Sequence, residues 1–322
     1  MPILKSKIYK PSFIFKYHHF STIYPSLFRQ IKEVKYQRER ITTPDQDFLD
    51  LDWSRVGGKK IIITLHGLEG SSNSKYILGM NRIFNQDNWD AVTMNFRGCS
   101  GEVNLVRRGY HSGETTDLDF VINTIFEKYD YEEMVLIGFS LGGNVVLKYA
   151  GEKGKNIHPK IKKAIGISAP VDLAGCSAEI EKRHNFIYLQ RFLRSLKEKF
   201  KLKQHLYPDL DVERILASKT FGDFDGNFTA PVHGFTGADD YWTKCSSRNF
   251  FQNLSIPTLL VNAKDDSFLS DSCYPFEAAK SNPNLHLLTP KYGGHVGFPQ
   301  SHPKGFYWSE EQVIEFTRGG SL

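Results

Sequence analysis

The residues best placed to do chemistry are Gly138-Phe139-Ser140-Leu141-Gly142-Gly143, between the apolar run MVLI and a stretch of helical spacing. A serine with glycines two before and two after it, on a strand-to-helix turn, is a nucleophile elbow. The turn is so tight that side chains at the glycine positions would collide. It lifts the hydroxyl clear of the sheet and sets it at a helix N-terminus, where N–H groups and the helix dipole stabilise developing negative charge. A hydroxyl is a weak nucleophile until a base takes its proton. In elbow sheets the order is nucleophile, acid, histidine, which places the partners downstream.

Two downstream segments fit. Asp265-Asp266 closes the strand PTLLVNAK, and 29 residues beyond Asp266 comes Gly293-Gly294-His295, after the next strand. Sites of parallel α/β sheets are built at such C-terminal strand ends. Successive strand residues point to opposite faces, so one aspartate orients the histidine: Asp266, nearer the strand's exit, with Asp265 as the alternative. His302, the other late candidate, lies in a Pro-rich loop. An oxyanion would be held by the N–H of Leu141 and by that of Leu68 in the loop His66-Gly67-Leu68-Glu69-Gly70. Three further residues are pocket candidates. His66 reads more readily as a loop organiser. Arg97 and His111 lie in loops facing the strand ends, where they either shape the pocket or enter an internal salt bridge, such as Arg97 with Glu114 or Asp117.

The elements that must position these groups follow from the hydrophobic rhythm. VKYQRERITT (34–43) and FLDLDWS (48–54), separated by PDQD, predict an antiparallel hairpin at a sheet edge. KKIIITLHG, DAVTMNFRG, MVLIGFS and IKKAIGISA then read as strands, alternating with helical segments such as SKYILGMNRIFNQ and TTDLDFVINTIFEKY. Strand–helix alternation means crossover units and a mostly parallel sheet. The rhythm breaks over 172–234 and resumes with IPTLLVNAKDD, a helix near 275–281, NLHLLTP, and a last helix opening on a Ser309 cap. Residues 172–234 therefore form an insertion, a helical cap. Within it Phe186, Leu189, Leu193, Leu196 and Phe200 fall at spacings 3, 4, 3 and 4, an apolar stripe suited to covering an acyl pocket. The lysines and arginines beside the stripe are expected to face water or, as a peripheral contact, anionic lipid. Residues 1–33 are an arm with no acid before Glu33 and many aromatics. It either lies on an anionic membrane surface or packs its Phe and Tyr residues on the domain of 34–322; packing is the simpler expectation.

Composition closes off other classes. A net charge of +5 over 322 residues is too mild for a nucleic-acid binder. Cys99, Cys176, Cys245 and Cys273 form no CxxC pair, which excludes a zinc ribbon, a redox motif or a small disulfide framework. No apolar run approaches the ~18 residues that span a bilayer. Lys5, Lys7, Lys10 and Lys16 interrupt any signal core. A cytoplasmic protein is the expectation.

HGLEGSSNS, NFRGCSGEVN, YHSGETTDLDFVI, GFSLGGNVVLKYAGE, NAKDDSF and YGGHVGF together resemble the YheT-like branch of the α/β-hydrolases. HHFSTIYPSLFR, RERITTPDQDFLDLDW and TAPVHGFTGADDYW extend the resemblance over nearly the whole chain. It implies an α/β-hydrolase fold and a serine hydrolase of carboxylic esters, with Ser140, Asp266 and His295 in the triad positions. Eukaryotic relatives of that branch act on lipid esters and carry a membrane anchor. Ser267 stands where the family often has proline, which loosens the turn after Asp266. An alignment through 18–29 also favours an ordered arm. The expectation is thus an esterase working by acyl-enzyme chemistry on a small-molecule, lipid-derived ester, with no metal or organic cofactor. The alternatives are an acyltransferase using the same triad and a non-catalytic ligand-binding protein on the same fold.

Overall fold

The computed structural model describes residues 9–319. Its centre is one eight-stranded sheet in the order β1-β2-β4-β3-β5-β6-β7-β8. β1 (Gln37–Thr42) and β2 (Phe48–Ser54) form the edge hairpin, and β2 runs antiparallel to β4 (Asp90–Met94). β3 (Lys60–Leu65), β5 (Glu133–Phe139), β6 (Ile161–Ile167), β7 (Thr258–Val261) and β8 (Leu285–Leu288) continue it in parallel from β4. Strands covered on both faces need apolar residues at every position rather than alternate ones. β3 shows this: Ile61 and Ile63 enter the core on one face and Ile62 the core on the other, all fully buried. The exposed edge is charged instead, with Arg38 and Arg40 of β1 clamped on Asp52 and Asp50 of β2.

A short arm helix α1 (His18–Phe28) precedes the sheet. α2 (Lys75–Gln86), α3 (Thr116–Lys128) and α4 (Leu141–Lys153) are crossover helices, and six more helices stand between β6 and β7. These are α5 (Leu173–Ile180), α6 (Phe186–Lys203), α7 (Val212–Ala217), α8 (Phe221–Phe224), α9 (Ala230–His233) and α10 (Ala238–Cys245). α11 (Phe276–Ser281) joins β7 to β8, and α12 (Trp308–Thr317) ends the fold. α3, α4 and α11 cover one sheet face and α2 and α12 the other, giving three layers.

Several boundaries differ from the expectation. Helical structure in the insertion runs on to Cys245, because Tyr241 and Cys245 of α10 pack with Leu173 of α5 and Ala230 of α9. α12 begins at Trp308, with Ser309 inside its first turn; the Glu310 carboxylate accepts from the Tyr307 N–H and fixes the start there. On α6, Leu189, Leu193 and Phe200 pack with Ile180, Ile215 and Phe224 as the cap's own core, whereas Phe186 is exposed. The basic residues of α6 do not all face outward either. Lys199 is drawn to Glu69 (2.7 Å), and Lys203 is buried against Asn104 (2.7 Å).

The described part of the arm is tied down at Tyr9 and at Arg29. Tyr9 packs on Trp308 and donates to the Pro299 carbonyl, while Arg29 forks onto Glu310 at 2.5 and 2.9 Å. Most aromatics between these anchors face outward rather than packing inward: Phe13, Tyr17, Phe20 and Phe28 are all exposed. The Arg29–Glu310 pair is buried on both sides, so removing one partner strands a charge. Arg29→Met is therefore expected to lower unfolding free energy by about 3–5 kcal/mol in urea titrations. A change below about 1 kcal/mol would mean that the pair behaves as a solvated surface bridge.

Candidate active site

Ser140 sits between β5 and α4 with φ +52° and ψ −121°, a backbone conformation in which a non-glycine residue is strained. The neighbouring glycines make room for it. A Cβ on Gly138 would lie 2.1 Å from the Gly142 carbonyl oxygen, and one on Gly142 would lie 2.6 Å from the carbonyl oxygens of Leu65 and His66. Alanine at either position therefore clashes with backbone that has no room to move. The Ser140 N–H donates to the Ile167 carbonyl (2.9 Å), extending the β5–β6 ladder to the turn itself.

The three residues singled out by spacing meet here. The Ser140 hydroxyl lies 2.9 Å from His295 Nε2, and His295 Nδ1 lies 2.8 Å from Asp266 Oδ2. With the ring proton on Nδ1 donated to Asp266, Nε2 is the acceptor for the serine hydroxyl. The Asp266 carboxylate is fully buried, and its other oxygen accepts from the Phe268 N–H (3.0 Å). The Phe268 ring lies against the imidazole, 4.3 Å between centroids. Such a chain can take a proton from Ser140 and hold the resulting imidazolium.

Asp266 does not end a strand. Strand geometry stops at Val261, although the Lys264 N–H still donates to the Pro290 carbonyl, and both aspartates lie in the loop beyond. Asp265 takes a different part: Oδ1 accepts from the Gly294 N–H (2.9 Å), while Oδ2 is buried with no partner. Burial, and then the Asp266 charge, push its carboxyl up to about 6. Asp265 thus anchors the loop that carries His295. Two more contacts hold that loop: the His295 N–H donates to Thr22 Oγ1 of α1, and the Val296 N–H to Ser168 Oγ, each at 2.9 Å. His302 faces Glu311 beside α12.

A cavity opens above the serine, lined by apolar side chains including Leu173, Ile180, Phe192, Leu196, Phe224 and Leu269. Leu68, Leu141 and His111 also line it; His66 and Arg97 do not. His66 is fully buried between two backbone groups, with Nδ1 2.8 Å from the Gly67 carbonyl and Nε2 accepting from the Phe96 N–H (3.1 Å). Burial lowers it to about 4, so it stays neutral. Arg97 is enclosed by Asp45, Asp47 and Asp117, which makes it a structural ion-pair centre rather than a pocket residue. His111 is held below the usual imidazole range by burial and by neighbouring His233.

One contributor was not anticipated. Glu69 has φ +54° and accepts from the hydroxyls of Tyr110 and Ser195 (2.5 Å each) and from Lys199 Nζ (2.7 Å). It ties the loop after β3 to cap helix α6. Burial works to raise its carboxyl, but Lys199 and these donors outweigh burial and hold it below the usual range. The available signal was a lone acid between two glycines in HGLEG facing a cap rich in lysine. Among the described residues, no three His, Cys, Asp or Glu side chains gather as a metal-holding group.

Comparison with known proteins agrees with this architecture. The family model for the alpha/beta hydrolase fold matches residues 60–301. YheT of Escherichia coli K12 is 33% identical over 309 residues, 92% of this chain and 89% of its own. The mouse phospholipase ABHD3 is 31% identical, covering 82% of this chain and 67% of its own. Among solved structures, the Pyrococcus furiosus esterase Pf2001 superposes with a TM-score of 0.60 at 19% identity, over 90% of this chain and 92% of its own. The chain belongs to the α/β-hydrolase family, in the branch that contains YheT.

Proposed function

We propose that this protein is a serine hydrolase that cleaves carboxylic esters with apolar acyl chains through an acyl-enzyme intermediate. The observation that carries the reading is the unbroken hydrogen-bonded chain from Ser140 through His295 to Asp266, opening into an apolar cavity. His295 takes the serine proton as Ser140 attacks the ester carbonyl. Asp266 holds the ring in the right tautomer and stabilises its cation. His295 then protonates the leaving alcohol, and water activated by the same imidazole releases the acid.

The oxyanion is assigned to the N–H groups of Leu141 and Leu68. Leu141 opens α4, where the helix dipole adds to the donor. In the loop after β3, the N–H of Gly67 donates to the Tyr76 hydroxyl and that of Glu69 to the Tyr110 hydroxyl. Those bonds fix the loop on either side of Leu68. The preference for an acyl chain rests on Leu173, Ile180, Phe192, Leu196 and Phe224, since burying each methylene of a substrate is worth about 0.8 kcal/mol. Relatives point the same way: the yeast protein at 27% identity is named a monoacylglycerol lipase, and the mouse protein a phospholipase.

Ser140→Ala is expected to lower kcat/KM on p-nitrophenyl butyrate by about 10⁴–10⁶-fold with unchanged circular dichroism. Undiminished turnover in that variant contradicts the assignment. Asp266→Asn is expected to lower kcat by about 10⁴-fold, because the amide favours the wrong imidazole tautomer. Asp265→Asn keeps an acceptor for the Gly294 N–H and should retain most activity; the reverse ranking would move the orienting role to Asp265. Across p-nitrophenyl esters of graded length, kcat/KM should rise from acetate to medium chains. A maximum at acetate would refute the acyl-pocket reading.

A further inference from the structure

α1 is inside out. In an amphipathic helix packed on a domain, the apolar stripe faces the core. Here Ser21, Thr22 and Pro25 face inward, whereas Phe20, Ile23, Leu27 and Phe28, at the spacing of one helix face, are exposed. The segment leading into the helix adds Phe13, Ile14 and Tyr17. Of the twelve large hydrophobic side chains exposed among the described residues, these are seven. Two more, Phe186 and Ile187, lie at the start of α6. That end of α6 adjoins α1, because His19 Nδ1 is 3.1 Å from the Tyr188 hydroxyl. Scattered single exposures need no explanation, but a patch of this kind marks a surface that meets something apolar.

The inward face explains the reversal. A Cβ on Gly297 would lie 2.2 Å from the Ser21 carbonyl oxygen, and one on Gly294 2.6 Å from that of His18. Only small residues let the helix backbone approach the loop that carries His295, so the bulky side chains are forced to the far side. The arm that carries most of the patch is basic: no acid precedes Glu33, Lys10 and Lys16 are exposed, and Lys16 and exposed Lys291 share the Tyr292 ring. Beside Phe186 and Ile187, exposed Arg183 is accompanied by exposed Glu181. Aromatic and aliphatic groups framed by lysine fit the interface of an anionic bilayer, where rings sit at headgroup depth and ammonium groups meet phosphates.

We propose that the exposed face of α1, with Phe186 and Ile187 of the cap, is a docking surface for anionic phospholipid bilayers. This goes beyond the hydrolase reading and does not depend on which ester is cleaved. Docking there sets the site close to the membrane, because Thr22 of α1 accepts from the His295 N–H while Tyr188 packs on Phe268, the ring that lies on His295.

The test is co-sedimentation of the full chain with vesicles of phosphatidylglycerol and phosphatidylcholine in equal parts, or of phosphatidylcholine alone. Turnover of soluble p-nitrophenyl butyrate is measured in parallel. The wild type should bind the anionic vesicles, less as salt rises, and should bind the neutral ones weakly. Phe13→Ser/Leu27→Ser/Phe28→Ser should weaken binding by about tenfold or more, and Lys10→Glu/Lys16→Glu should weaken it on the anionic vesicles alone. Both variants should turn over the soluble ester as the wild type does, since all five side chains are solvent-facing; that control separates failure of docking from failure of the hydrolase assignment. No vesicle binding by the wild type overturns the proposal, as does binding that the triple variant leaves unchanged. A concentration-dependent dimer in sedimentation velocity that the triple variant abolishes also overturns it, because the face would then be covered by a second copy.

Discussion

Everything at the site depends on a steric constraint at the β5–α4 crossing. The chain must turn from strand to helix within one residue, and that residue, Ser140, carries a Cβ at positive φ. The strain persists because backbone packs against backbone on both sides: Gly138 against Gly142, and Gly142 against the end of β3. Hydrogen bonding at the end of β5 and the start of α4 leaves the turn no alternative geometry. A strained, over-determined residue presents its hydroxyl in one direction, which is what an attacking group requires.

The other two side chains come from loops, which are less rigid than the sheet, and the molecule compensates with contacts from distant segments. The loop bearing His295 is held by Asp265, by Ser168 after β6 and by Thr22 of the arm. The loop after β3 is held by His66 from within and by Glu69, which joins it to Tyr110 and to Ser195 and Lys199 of the cap. Thr22 of the arm and Ser195 and Lys199 of the cap thus help to hold the two loops that flank Ser140. This places a functional demand on segments that would otherwise read as decoration.

The parts of this arrangement that sequence makes legible are those with strong local rules. The elbow glycines, the apolar central strands and the edge hairpin each follow from backbone sterics or hydrophobic period. Asp266 rather than Asp265 meets the imidazole, but strand alternation does not decide it, since β7 ends at Val261 and both residues lie in a loop. What stayed hidden was set by tertiary partners. Phe192 lines the cavity while Leu189 and Leu193 of the stripe fill the cap's own core, and a helical period cannot tell these two apolar environments apart. Lys199 and Lys203 look like solvated charges until Glu69 and Asn104 are seen beside them. The arm misled for a related reason: aromatics imply burial on average, yet a glycine-rich loop needing close backbone approach turned them outward.

The central claim is that the Ser140 hydroxyl is an activated nucleophile. Labelling of the folded protein with a fluorophosphonate, followed by peptide mass spectrometry, tests it most directly. The account predicts one stoichiometric adduct, on Ser140, forming far more slowly when His295 is replaced by alanine. A folded protein that stays unlabelled, or that carries its adduct on another residue, would contradict it.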